Sequence, residues 1–260
     1  MSTLTLAARD SSTMVRRQLR RLLRYPSMTV QLVVTPVILL LLFVYVFGGT
    51  LGDGLGGGPG GRDAYVNYVV PGILLMAAAT AATGTAVMVA TDMTEGIIAR
   101  FRTMRISRAS VLTGHVVGSV IQQLLGMAVL IGIALAIGFR PNATPVEWLA
   151  AAGLLTFFVV AITWLAVALG LKSPTPEAAS NAPIPLVFLP FLGSGFVPTD
   201  SMPTVLRWFA EYQPLTPIME TVRGLLLGTP IGNSAAIATA WCAAIAAASY
   251  LWAKSTFNKA

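Results

Sequence analysis

Charge is what this sequence has least of. Asp, Glu, Lys and Arg make up only 10% of its 260 residues, against about 25% in an ordinary soluble domain. There is one cysteine, Cys242, so no intramolecular disulfide can form, and one histidine, His115. No cluster has metal-ligand spacing, and no metal or other cofactor is expected on this chain. Nor is there a G-x-x-x-x-G-K-[ST] loop to cradle phosphates. The glycine run at 56–61 has no lysine after it, so ATP hydrolysis by that route is excluded. The interiors of the apolar runs carry Gln31, Gln122, Gln123 and Asn181 but almost no ionisable group. A proton relay of the kind that drives secondary transporters is therefore missing, and so are the pore-lining rings or filter of a channel.

What is present is apolar: 55% of the residues are hydrophobic, in runs that approach or exceed the ~20 residues needed to cross a bilayer. A net charge of +7 raises the question of nucleic acid, but the basic residues sit in the loops between apolar runs, and a membrane protein is the better reading. The basic, then apolar N-terminus resembles a signal peptide. Its apolar run is too long and lacks a small-residue cleavage site, so it is read as the first span. Six spans are expected, near Met28–Phe47, Tyr68–Thr91, Val111–Phe139, Trp148–Leu171, 178–197 and Ala235–Trp252. A flexible glycine-rich linker at 48–63 follows the first, and Pro71 is placed in the first turn of the second. Thr175 or Ser173 can cap a helix that opens on Pro176, with Glu177 complementing its dipole. Residues 203–228 read as one or two amphipathic helices. With both termini inside, thirteen of the 17 basic residues face the cytoplasm, leaving Arg62, Arg140, Arg207 and Arg223 outside.

Two cytoplasmic segments are amphipathic. In 11–25, Val15, Leu19, Leu22 and Leu23 form one stripe, with Arg16, Arg17, Arg20, Arg21 and Arg24 opposite, as in a helix lying in the interface plane against lipid headgroups. In 93–110, Ile97, Ile98, Phe101 and Met104 form a stripe beside Arg100, Arg102, Arg105 and Arg108. That segment reads either as a helix docking on another protein or as a plain topology-setting loop. A rival of a different class is an intramembrane serine hydrolase of rhomboid type using Ser194 and His115. Leu192 stands where its usual motif requires glycine, and the two residues are expected at opposite membrane faces, beyond hydrogen-bond reach.

The stretch TEGIIARFRTMRISRASVLTGHVVGSV (94–120) is similar to the cytoplasmic loop between spans 2 and 3 of type-2 ABC transporter permeases. FVPTDSMPTVLRWFAEYQPLTPIMETVRGLLLG (196–228) resembles the segment between spans 5 and 6 in their daunorubicin-resistance-permease-like branch. The resemblance implies an all-helical membrane protein in which 1–260 form a single permease domain. It implies an elbow helix at 11–25, a coupling helix at 93–110 and an extracytoplasmic re-entrant segment at 199–233. It further implies a separate ATPase subunit holding ATP and magnesium, and a second copy or paralogous permease. The setting implied is the bacterial inner membrane, where lipids are partners and nucleic acid is not, and the cargo is a drug, antibiotic or lipid-like compound moved outward. Glu95, Ile98, Arg100, Phe101, Arg102 and Arg105 are the implied ATPase contacts, with Phe101 as packing anchor. Glu220 and Arg223, at i and i+3 in the re-entrant gate, read as a pair on one helix face or as a surface ion pair worth little. Pro183, Pro185 and Pro190 break span 5. Pro185, Phe188 and Phe191 then line a hydrophobic substrate path, or the prolines are packing kinks.

Overall fold

The computed structural model of the protein describes residues 26–55, 61–95 and 108–259, and among them every regular element is helical. Helix α1 (Pro26–Leu42) runs through a wide π turn at Phe43–Phe47 into α2 (Gly48–Asp53). Residues 48–53, expected as part of a flexible linker, are therefore helical. Gly48 and Gly52 are buried, and a Cβ on Gly52 would collide with the backbone of Gly61. These glycines serve close approach between chain segments.

Helix α3 (Arg62–Thr94) has 33 residues, about 50 Å at 1.5 Å per residue, well beyond the ~30 Å of a hydrocarbon core. Pro71 consequently sits deep inside the helix and not in its first turn. Hydropathy alone places the helix start too late, because polar Arg62 and Asp63 already belong to it. Next come α4 (Arg108–Ala136) and α5 (Pro145–Lys172). The start of α5 is fixed by a capping box: the Thr144 hydroxyl accepts from the Glu147 N–H, while the Glu147 carboxylate accepts from the Thr144 N–H at 2.6 Å. Pro145 fills the first helical position, where no N–H is needed.

The fifth expected span, 178–197, is not one helix. It is divided into α6 (Pro176–Asn181), α7 (Ile184–Phe188) and a run of turns to residue 196. Pro183, Pro185 and Pro190 remove three N–H donors, and their rings exclude the carbonyls four residues earlier. Thr175 caps α6 by accepting from the Ala178 N–H at 3.2 Å, with Pro176 at the first position. A short 3-10 turn (Thr199–Ser201) leads to the helix pair α8 (Thr204–Tyr212) and α9 (Leu215–Leu227). The chain then turns at Gly228, whose φ of +74° favours glycine, and enters α10 (Ser234–Lys259). Among the described residues, five stretches are long and apolar enough to cross a membrane: Val33–Asp53, α3, Val116–Ala136 of α4, α5, and Ser234–Phe257 of α10.

Helix α3 is the hub of the bundle. It packs on α1, α4, α5, α6 and α9, and Leu74, Leu75, Ala79 and Ala82 along it are sealed from solvent. Helix α5 completes the core between α3 and α10. Two glycines of the core helices sit against neighbouring backbone. A Cβ on Gly170 of α5 would stand 2.5 Å from Ala86 O, and one on Gly72 of α3 would stand 2.5 Å from Gly195 O. Gly153, by contrast, has nothing within 4 Å. Gly72→Ala should therefore lower the melting temperature of the purified protein by the equivalent of about 1–3 kcal/mol. Gly153→Ala should leave it level or slightly raised, because alanine is the better helix former. A Gly72→Ala protein that melts like the wild type would show that the α3–Gly195 approach does not hold the fold.

Candidate functional site

The most polar place in the apolar core lies where α9, the start of α3 and the turns at 193–196 meet. Its centre is Arg223, only 9% exposed although charged. The guanidinium donates from Nε and Nη2 to Tyr68 O at 3.3 and 3.2 Å, and from Nη2 to Ser194 O at 2.6 Å. Its carbon stands 3.9 Å from the centre of the Tyr68 ring, in cation–π position. Two features of the sequence deliver Ser194 O. Pro198, four residues on, has no N–H to satisfy it, and the glycines beside Ser194 let that turn press onto α3.

Further bonds hold the same junction. The buried Tyr65 hydroxyl donates to Phe196 O at 3.1 Å, one helical turn before Tyr68. The Gln213 amide donates to Leu189 O and to the Thr216 hydroxyl, both at 3.1 Å, so the α8–α9 corner is stitched to the turns after α7. At the other end of α9, Leu226 O accepts from the Asn142 N–H at 2.9 Å. Helix α9 is thus tied down along its length. Helix α8 is almost wholly exposed: Trp208 and Tyr212 project from it, and Arg207 pairs with Asp200 and Glu211 at 2.7 Å each. The hydrogen bond to Glu211, reinforced by both carboxylate charges, pushes the Arg207 pKa above its ordinary value.

The structure brings some sequence-predicted site residues together and separates others. Arg223 is in the junction, but its hydrogen bonds go to main-chain carbonyls. The Glu220 carboxylate accepts instead from the Ser234 hydroxyl at 3.0 Å, and no ion pair joins the two among the described residues. Phe191 stacks on Phe196 with centroids 4.3 Å apart and planes 3° apart, and both approach Phe43. Phe188 adjoins Phe191 at 6.4 Å and is 57% exposed, and Pro185 is exposed too. Tyr68, Tyr65, Phe43 and Phe196 were not legible as site residues. Only the helical spacing of Tyr65 and Tyr68 hinted at a shared face. Ser194 is buried with its hydroxyl unpaired, and it is the flanking Gly193 and Gly195 that permit close approach.

Glu95 is exposed at the C-terminal cap of α3, where its N–H donates to Thr91 O at 2.9 Å. Asp92, which the sequence reading passed over, is buried one turn earlier. Ile98, Arg100, Phe101, Arg102 and Arg105, and the elbow residues Arg16, Arg17, Arg20 and Arg21, lie outside the described residues.

Comparison with known proteins agrees with this architecture. The daunorubicin resistance ABC transporter permease protein DrrB1 of Streptomyces coeruleorubidus is 26% identical over 168 residues, covering 64% of this chain and 59% of the relative. The probable doxorubicin resistance ABC transporter permease protein DrrC of Mycobacterium tuberculosis is 24% identical over 183 residues, covering 70% of this chain and 66% of the relative. The matched part of the chain thus spans somewhat less than two thirds of either relative. The model of the ABC-2 type transporter family matches residues 10–227. A five-helix apolar bundle, a proline-broken segment and a helix pair, all within or beside that match, place the conclusion beyond composition: the chain belongs to the ABC-2 type transporter family.

Proposed function

We propose that the chain is the membrane-spanning permease subunit of an exporter that moves hydrophobic or amphipathic compounds outward. ATP hydrolysis in a separate subunit drives it, and ATP and magnesium belong to that subunit. The reading is supported most by the family match across residues 10–227, joined to a bundle in which, among the described residues, Asp92 and Arg223 are the only buried charged side chains. The names of the relatives, permeases of daunorubicin and doxorubicin resistance, make drug-like amphiphiles the first cargo to try.

In this reading the whole chain is one permease domain in a bacterial inner membrane, with both termini cytoplasmic, and it works beside a second copy or a paralogue. Residues 11–25 form the interfacial elbow and 93–110 the coupling helix, into which α3 leads directly. The proline-broken stretch 176–197 is the sixth crossing, kept irregular because its freed carbonyls find partners such as Arg223 and Gln213. The pair α8–α9 is the re-entrant gate, and the aromatic group Phe188, Phe191, Phe196 and Phe43 borders the path beneath it.

Two tests follow. Phe101→Asp or Arg102→Glu should leave membrane insertion intact while export falls about 5- to 150-fold, the range for losing about 1–3 kcal/mol of coupling. Daunorubicin uptake into inside-out vesicles measures this, and normal export in both variants would overturn the coupling assignment. Arg223→Gln should lower the melting temperature by the equivalent of about 1–3 kcal/mol, since two buried carbonyls lose a charged donor. It should also make vesicles carrying the complex leaky to a small dye. Arg207→Gln, at an exposed pair, should do neither. Equal behaviour of these two variants would remove Arg223 from the gate.

A further inference from the structure

Helix α8 stands clear of the bundle. Of its 9 residues only Ala210 is buried, and no side chain caps its N-terminus. A helix so short is marginal by itself in water, so its order depends on a surface that the bundle does not supply. Val205, Trp208, Phe209 and Tyr212, at i, i+3, i+4 and i+7, form one stripe, and they are 41–84% exposed. Ala210 falls on roughly the opposite side of the helix. The apolar stripe therefore points away from the protein.

The chemistry of the stripe selects what covers it. The charges of α8 lie to one side and close on themselves, Arg207 meeting Asp200 and Glu211 at 2.7 Å each. No cation is left over to seek an anionic lipid or an acidic partner. The rings of Trp208 and Tyr212 are 5.5 Å apart. No hydrogen bond among the described residues uses the Trp208 indole N–H or the Tyr212 hydroxyl. An apolar ring with an unspent polar tip suits the boundary between acyl chains and headgroups. A second copy fits less well. The stripe runs about 14 Å along the helix, and four side chains on it fall well short of the ~800 Å² that each partner buries in a stable protein interface.

The position agrees. The continuation of α8, helix α9, bonds the start of α3 through Arg223 and the Asn142 N–H through Leu226 O, so α8 belongs to the end of the bundle where α3 begins. The Gln213 amide at the α8–α9 corner reaches Leu189 O, and Phe188 and Leu192, near Leu189 in the chain, are exposed apolar residues as well. We infer that α8 is an interfacial helix, docked by Val205, Trp208, Phe209 and Tyr212 onto the surface of the bilayer around this end of the bundle. Apolar and aromatic contact holds it there, without need of anionic lipid. The inference goes beyond the permease reading: it needs the spans, but neither an ATPase partner, a direction of transport nor a gate.

The test places single spin labels on the full chain in phosphatidylcholine nanodiscs. Cys242→Ala removes the one native thiol, and Val205→Cys, Phe209→Cys or Glu211→Cys supplies the new one. Oxygen, which dissolves in acyl chains, should relax the labels at 205 and 209 more than a water-soluble nickel chelate does, and the order should reverse at 211. Nickel ahead of oxygen at 205 and 209 would place the stripe in water. Exclusion of both agents would place it against protein, a second copy included. Either result overturns the inference. The wild-type chain gives an independent reading. Phosphatidylcholine with a diazirine near the head of its acyl chain should label residues 205–212, as located by mass spectrometry. A labelled α10 beside an unlabelled α8 would also overturn the inference.

Discussion

A guanidinium withdrawn from water has to be satisfied where it stands, and this requirement organises one end of the molecule. Arg223 reaches two main-chain carbonyls and an aromatic face, from two segments far from it in sequence. Tyr68 O lies within α3 and accepts through its second lone pair, whereas Ser194 O lies in the turns after α7, outside any helix. Pro198, four residues on, has no N–H to offer Ser194 O, and the glycines on either side of Ser194 bring that carbonyl within reach. Burial of the arginine, irregularity of the segment and the close α3–Gly195 contact are therefore one arrangement.

That arrangement explains why α8 and α9 differ so much. Helix α9 buries Ile218, Met219, Val222 and Leu226 and is fixed at both ends, by Gln213 and by the Leu226 carbonyl. Helix α8 buries only Ala210 and keeps its charged residues paired with one another. One member of the pair is part of the core, while the other presents Trp208 and Tyr212 outward, the residue types that favour a membrane interface. A movement that parts α9 from α3 and the turns at 193–196 must break the Arg223 bonds.

Much of the architecture was legible because it follows from hydropathy and local caps. Five of the six expected spans, the Thr175–Pro176 start of α6 and the two amphipathic helices at 203–228 depend on residues close in sequence. The errors have local causes of another kind. Pro71 was placed in a first turn because hydropathy ignores Arg62 and Asp63, which are helical. Gly48 to Asp53 read as linker because glycine is a poor helix former, yet Gly52 is there to meet Gly61. The span expected at 178–197 kept its apolar composition and lost its continuity to three prolines. The Arg223 site was only half visible: sequence spacing suggested Glu220 as partner, whereas main-chain carbonyls, which no sequence pattern advertises, are the acceptors.

The central claim is that this bundle converts work done elsewhere, since its own sequence holds no phosphate-cradling loop. The most direct measurement is to purify the tagged chain gently from its native membrane and identify its companions by mass spectrometry. The account predicts a stoichiometric second protein that carries a P-loop. A chain that arrives alone from several mild detergents would contradict it.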